Sequence, residues 1–113
     1  MINIIKATTD DKKEIFRMTR GNAVQKMADL DGLHIKPAAW VLFEDGDIDG
    51  ASGEFVGKRA LCIKYDVGYA GTISKTFIDQ FSDMTDMLGD DTEFEVCSGK
   101  TKAGRTFIFP EPV

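Results

Sequence analysis

Three cations crowd into one short stretch of this chain. Lys100, Lys102 and Arg105 stand together with no acid between Glu95 and Glu111. Such side chains meet phosphate, Arg through a planar fork of donors and Lys as a point charge. Ser98 to Gly104 reads as a connection between two strands, with glycines as its punctuation. A solvated hairpin loop and a cationic tip for a nucleic-acid backbone both fit it. A second set of cations, Lys58, Arg59 and Lys64, lies on an extended segment that runs into Tyr65 and Tyr69. Trp40 and Phe43 lie on the segment before. Bases of single strands stack on such rings, although core packing is the ordinary role of an aromatic in a small domain. Trp40 shares strand parity with Glu44, and Val41 shares it with Phe43, which favours an exposed Trp40.

Other constellations are weaker. Ser98-Gly99-Lys100-Thr101 suggests a phosphate loop, but Phe94 stands where the first glycine is required and a strand follows where a helix is required. Asp45-Gly46-Asp47-Ile48-Asp49-Gly50 looks like half a calcium loop. Its twelfth position is Val56 instead of a bidentate Glu, so an acidic surface turn is the better reading. One histidine, His34, makes a histidine-based metal site implausible. Cys62 and Cys97 could form one disulfide, but two isolated cysteines read better as reduced core residues. No acid–base or nucleophile–base set emerges, so we expect no enzyme, no cofactor and no metal.

Which elements would position these groups? Ser74 is placed to cap a helix in which Phe77, Ile78, Phe81, Met84 and Leu88 form one apolar stripe, stopped by Gly89. Asp79, Asp83, Asp86 and Asp90 fall outside the stripe. Phe94 and Val96 alternate with Glu93 and Glu95 as a strand, and Arg105 to Phe109 is its partner. Earlier, Met1–Lys6 reads as an edge strand and Asp11-x-x-Glu14 as a capping box before a short helix broken at Gly21-Asn22. Ala23–Leu30 is ambiguous. Asp31-Gly32 signals a hairpin turn, Leu33–Glu44 the longest strand, with Pro37 a bulge or bend, and Asp45–Gly53 a loop. Phe55–Tyr65 is a strand and Asp66–Gly71 a turn region. This order places the principal helix between strands three and four, as in a five-stranded barrel of the oligonucleotide-binding (OB) type, whose ligand surface includes the loop between strands four and five.

The totals set bounds. The sequence has 113 residues, enough for one domain and a modest core. Net charge is −5, which argues against nucleic acid if taken alone. The charges are segregated, however. Asp79 to Glu95 holds seven acids and no base, whereas Lys58 to Lys75 holds four bases and one acid. No apolar run approaches a membrane span, and no signal-peptide core opens the chain, so we expect a cytoplasmic protein without a membrane partner.

Ile73-Ser74-Lys75-Thr76 opens the helix, and Phe94-Glu95-Val96-Cys97-Ser98-Gly99-Lys100-Thr101-Lys102-Ala103-Gly104-Arg105-Thr106-Phe107 follows it. Over Tyr69 to Phe109 the chain resembles the small single-stranded-DNA-binding replication proteins of tailed bacteriophages, including those of protein-primed phages. Trp40-Val41-Leu42-Phe43-Glu44 and the loop after it also fit by spacing, whereas the first ~35 residues match poorly. Cellular single-strand binders carry a long acidic tail that recruits partners; this sequence stops at Phe109-Pro110-Glu111-Pro112-Val113, so such recruitment is not implied. The resemblance implies one OB-like domain over residues 1–113 that coats single-stranded DNA during phage replication, with little sequence preference, in the host cytoplasm. It leaves room for a homo-oligomer. Phosphates would meet Lys58, Arg59, Lys64, Lys100, Lys102 and Arg105, while Trp40, Tyr65 and Tyr69 would offer stacking surfaces. The rival is a protein–protein adaptor using the acidic helix face; a metal-responsive module on Asp45–Asp49 is a third.

Overall fold

The computed structural model describes all 113 residues as a mainly β fold with eight strands and two α-helices. In chain order these are β1 (Ile2–Ala7), α1 (Lys12–Arg20), β2 (Val24–Lys26), β3 (His34–Ile35), β4 (Ala39–Ile48), β5 (Phe55–Tyr65), β6 (Gly68–Thr72), α2 (Lys75–Leu88), β7 (Phe94–Lys100) and β8 (Thr106–Pro112). A 3₁₀ turn, Met27–Leu30, leads from β2 toward β3. No helix is long and apolar enough to cross a membrane.

The strands form two open sheets, ordered β1-β4-β5-β6-β2 and β3-β7-β8. The expected closed OB barrel is therefore not what forms. Closure would need a ladder joining the edges, but β1 ends one side of the larger sheet and β2, parallel to β6, ends the other. The β7–β8 hairpin pairs instead with the two-residue β3, through His34↔Glu95 and Ile35↔Phe94. The principal helix follows the sixth strand, not the third.

Local reasons explain the elements. The Ser74 hydroxyl accepts from the Phe77 amide at 3.2 Å and caps α2, and Gly89 ends the helix at φ +114°, a conformation that glycine adopts without strain. Phe77, Ile78, Phe81, Met84 and Thr85 are the buried face of α2. Leu88, expected on that stripe, is 59% exposed because the last turn runs past the edge of what it covers. Asp11 caps α1 by accepting from the Lys13 and Glu14 amides at 3.0 and 3.3 Å. The capping box is only half made, since the Glu14 carboxylate turns to other partners.

Parts of three expected loops prove to be strand, one of them Ser98–Lys100 of the expected Ser98–Gly104 connection, which belongs to β7. β4 runs on through Asp45–Ile48, paired to Phe55–Lys58, and β6 occupies much of the expected Asp66–Gly71 turn. The expected Leu33–Glu44 strand is split between β3 and β4 around Pro37, which lacks the N–H a ladder needs. Asp31-Gly32 is a turn, with Gly32 at φ +86°, but the segments it joins do not pair with each other.

The core lies between the larger sheet on one side and α2 with the smaller sheet on the other. Trp40, Leu42, Leu61, Ile63, Tyr65 and Ala70 meet Phe77, Phe81, Phe94, Val96 and Ile108 there. Phe81 sits edge-on to both Trp40 and Phe94, with centroids 5.3 and 5.7 Å apart. Each such ring contributes roughly 1.5–3 kcal/mol by leaving water. The opposite face of the sheet is covered by α1, over Val41, Phe43 and Cys62. The first half of β4 is thus buried on both faces.

Candidate nucleic-acid interface

The β7–β8 ladder runs as far as Lys100↔Thr106, and the turn beyond it is internally bonded. The Thr101 amide donates to the Arg105 carbonyl at 2.8 Å and the Gly104 amide to the Thr101 carbonyl at 2.9 Å. The Arg105 amide donates to the Thr101 hydroxyl at 3.2 Å, and Gly104 takes φ +83°. Lys100, Lys102 and Arg105 are all exposed on this ordered turn. None of them has a carboxylate partner among the ion pairs of the protein.

Beside the tip lie two aromatic rings that sequence reasoning had left without a role. Ile108 and Pro110 are buried, so alternation turns Phe107 and Phe109 to the outer face of the smaller sheet, where both stay half-buried. Their centroids are 5.8 Å apart. Phe107 pairs with Gly99, and a β-carbon at Gly99 would stand 2.8 Å from its ring, so the end of the ring occupies the space that the missing side chain leaves. The signal was the i, i+2 spacing of the two phenylalanines around an inward Ile108.

Lys58 and Arg59 are exposed near the outer end of β5, also without ion-pair partners. With Lys75, Ile73, Ile78 and Asp79 they line a depression of about 400 Å³ at the start of α2. Lys75 itself is held by Asp79 at 2.7 Å.

Four of the expected contacts are placed elsewhere. Trp40 is 3% exposed, with its indole N–H donating to the Asp90 carbonyl at 3.0 Å. Glu44 was a poor guide to its face, because it lies farther along β4 where less covers the strand. Tyr65 is buried too, its hydroxyl donating to Gln25 Oε1 at 3.0 Å. Neither ring can stack on a base. Lys64 Nζ lies 2.8 Å from Glu14 Oε1, and the Tyr69 hydroxyl donates to that same oxygen at 2.9 Å. These two groups pin α1 to the sheet and are not free for a phosphate.

Glu14 is 7% exposed, and Arg17 reaches its other oxygen at 3.3 Å. The hydrogen bond from Lys64 holds its carboxyl below the ordinary value of 4.5, against the opposing effect of burial. A group with a lowered folded pKa contributes stability above its unfolded pKa and loses it as pH falls through the folded one. Glu14→Gln is therefore expected to lower stability at pH 7, and the gap from the parent should close as pH drops well below 4.5. Urea unfolding across that range measures it; a gap independent of pH would remove ionised Glu14 from the account.

Cys62 and Cys97 are free thiols, and burial pushes the Cys62 thiol up to about 12. Asp45 pairs with Arg20 at 3.4 Å, and Asp49 closes its own turn by accepting from the Ala51 amide and the Ser52 hydroxyl. No group of three or more His, Cys, Asp or Glu is placed to hold a metal ion. Compared with protein-family models, curated proteins and solved structures, the chain matches none of them.

Proposed function

We propose that this chain is a non-catalytic single-stranded-DNA-binding protein of the phage-replication kind, reading backbone and stacked bases with little sequence preference. The observation that carries this reading is the β7–β8 tip. Three exposed cations without carboxylate partners stand on an ordered turn, and Phe107 and Phe109 lie on the adjoining outer face. Cations track a strand's phosphates while rings accept its bases, without regard to sequence, because every base has a π face. Lys58 and Arg59 add a second cationic stretch. The net charge of −5 does not oppose this, since acids beyond about 8–10 Å are screened at physiological salt.

Titrating a labelled oligothymidine at several salt concentrations tests the reading. About three to five phosphate contacts give a log–log slope of roughly −2 to −3.5. Affinity that is flat with salt, or no binding, would refute it.

One observation favours the adaptor reading as the alternative. Met87 and Leu88 are 82% and 59% exposed at the end of the acidic α2. With Gln80, Asp83 and the prolines of β8 they border a depression of about 380 Å³.

A further inference from the structure

Helix α1 carries four cations, Lys12, Lys13, Arg17 and Arg20, and one acid, in a chain whose total charge is −5. That acid, Glu14, points inward to Lys64 and Tyr69 and also holds Arg17 at 3.3 Å, while Arg20 pairs with Asp45 at 3.4 Å, so the unpaired positive charge of the outward face is that of Lys12 and Lys13. Phe16 lies on this face and is 64% exposed, the one aromatic among the large exposed hydrophobic side chains. Lys12, Lys13, Phe16 and Arg17 border a shallow depression of about 400 Å³. Lys12 and Lys13 have no carboxylate partner, and Lys12 sits one turn before Phe16 on the same side of the helix.

We infer that the outer face of α1 is a second single-strand contact, in which the Phe16 ring stacks on one base and Lys12 and Lys13 hold the phosphates beside it. The proposal rests on the single-strand reading of the β7–β8 tip. The apolar part of the patch is a single ring, since Met18 is buried and Ile15 packs against the sheet. A bilayer or a protein groove would engage a stripe of apolar side chains, whereas one flat ring ringed by cations matches a base with its flanking phosphates. The helix lies on the face of the larger sheet away from α2 and the smaller sheet. A strand holding both contacts thus passes around the edge of the sheet.

Fluorescence anisotropy with a labelled oligothymidine of about 30 nucleotides, and with an abasic deoxyribose-phosphate oligomer of equal length, tests this. Phe16→Ala should weaken oligothymidine binding about 5- to 150-fold and leave the abasic oligomer unaffected, while Phe16→Tyr keeps the parental affinity. Lys12→Ala with Lys13→Ala should weaken both oligomers and reduce the salt slope by about 1.4. Unchanged oligothymidine affinity in Phe16→Ala, or an equal loss on the abasic oligomer, overturns the inference. If that happens while the β7–β8 tip variant still loses affinity, the proposed function stands alone. If the parent binds neither oligomer, both fall. Phe16-dependent binding to phosphatidylglycerol vesicles without oligomer binding would make α1 a membrane surface instead.

Discussion

Replacing Lys100, Lys102 and Arg105 together by alanine is expected to remove about two units of salt slope and roughly a hundredfold in oligothymidine affinity at 0.1 M salt. Three phosphate contacts at about −0.7 each give that slope, and extrapolation from 1 M gives the factor. The substitution takes the net charge from −5 to −8. The control is the opposite triple change, Asp83 and Asp86 on α2 and Glu93 just beyond it to alanine, which takes it to −2. If binding followed total charge, the two variants would shift affinity by similar factors in opposite directions. Local contact predicts asymmetry, with a large loss at the tip and little change at the three acids. Neither variant should unfold, because all six side chains are exposed and such changes usually stay within ~0.5 kcal/mol. A tip variant that binds as tightly as its parent would leave the hairpin a plain turn and move the adaptor reading ahead.

The largest effect on stability is expected at Trp40, and none of it concerns the ligand. Trp40→Ala empties a site between Phe81 and Lys6, whose Nζ lies 5.1 Å from the ring centroid, and it leaves the Asp90 carbonyl without its donor. Removing a buried Trp costs about 3–5 kcal/mol, a large share of the 5–15 kcal/mol typical of a domain. Trp40→Phe keeps an edge toward Phe81 but still loses the N–H bond, so it should fall between parent and Ala. Urea unfolding ranks the three. Parental Trp40 emission should stay constant as oligothymidine is added. Quenching, together with an Ala variant as stable as the parent, would put the ring back on the surface.

Much of the local structure was legible because its causes are local. Ser74 and Gly89 bound α2 by satisfying or ending its own hydrogen bonds, and Asp11 caps α1 in the same way. The Phe55–Tyr65 strand needed only its alternation. The basic tip was legible in part: a turn near Gly104 was expected, but Ser98, Gly99 and Lys100 of the expected connection belong to β7.

What the sequence determined by itself, then, was where the two helices lie, the Phe55–Tyr65 strand, and where cations gather. Only the tertiary structure decided which strands pair, and therefore which faces are covered. Parity can tell Trp40 from Val41 but cannot say that α2 lies over one and α1 over the other, because both covers come from distant segments. The same reason hid the partners of Lys64 and Tyr69, which depend on Glu14 arriving from 50 and 55 residues away. Burial and pairing are properties of contacts that close over long stretches of chain, and no short pattern records them. Phe16 shows the converse. Its helix could be read from a capping residue, but its exposure follows from α1 resting on the sheet by its other side, with Glu14 and Met18 turned inward.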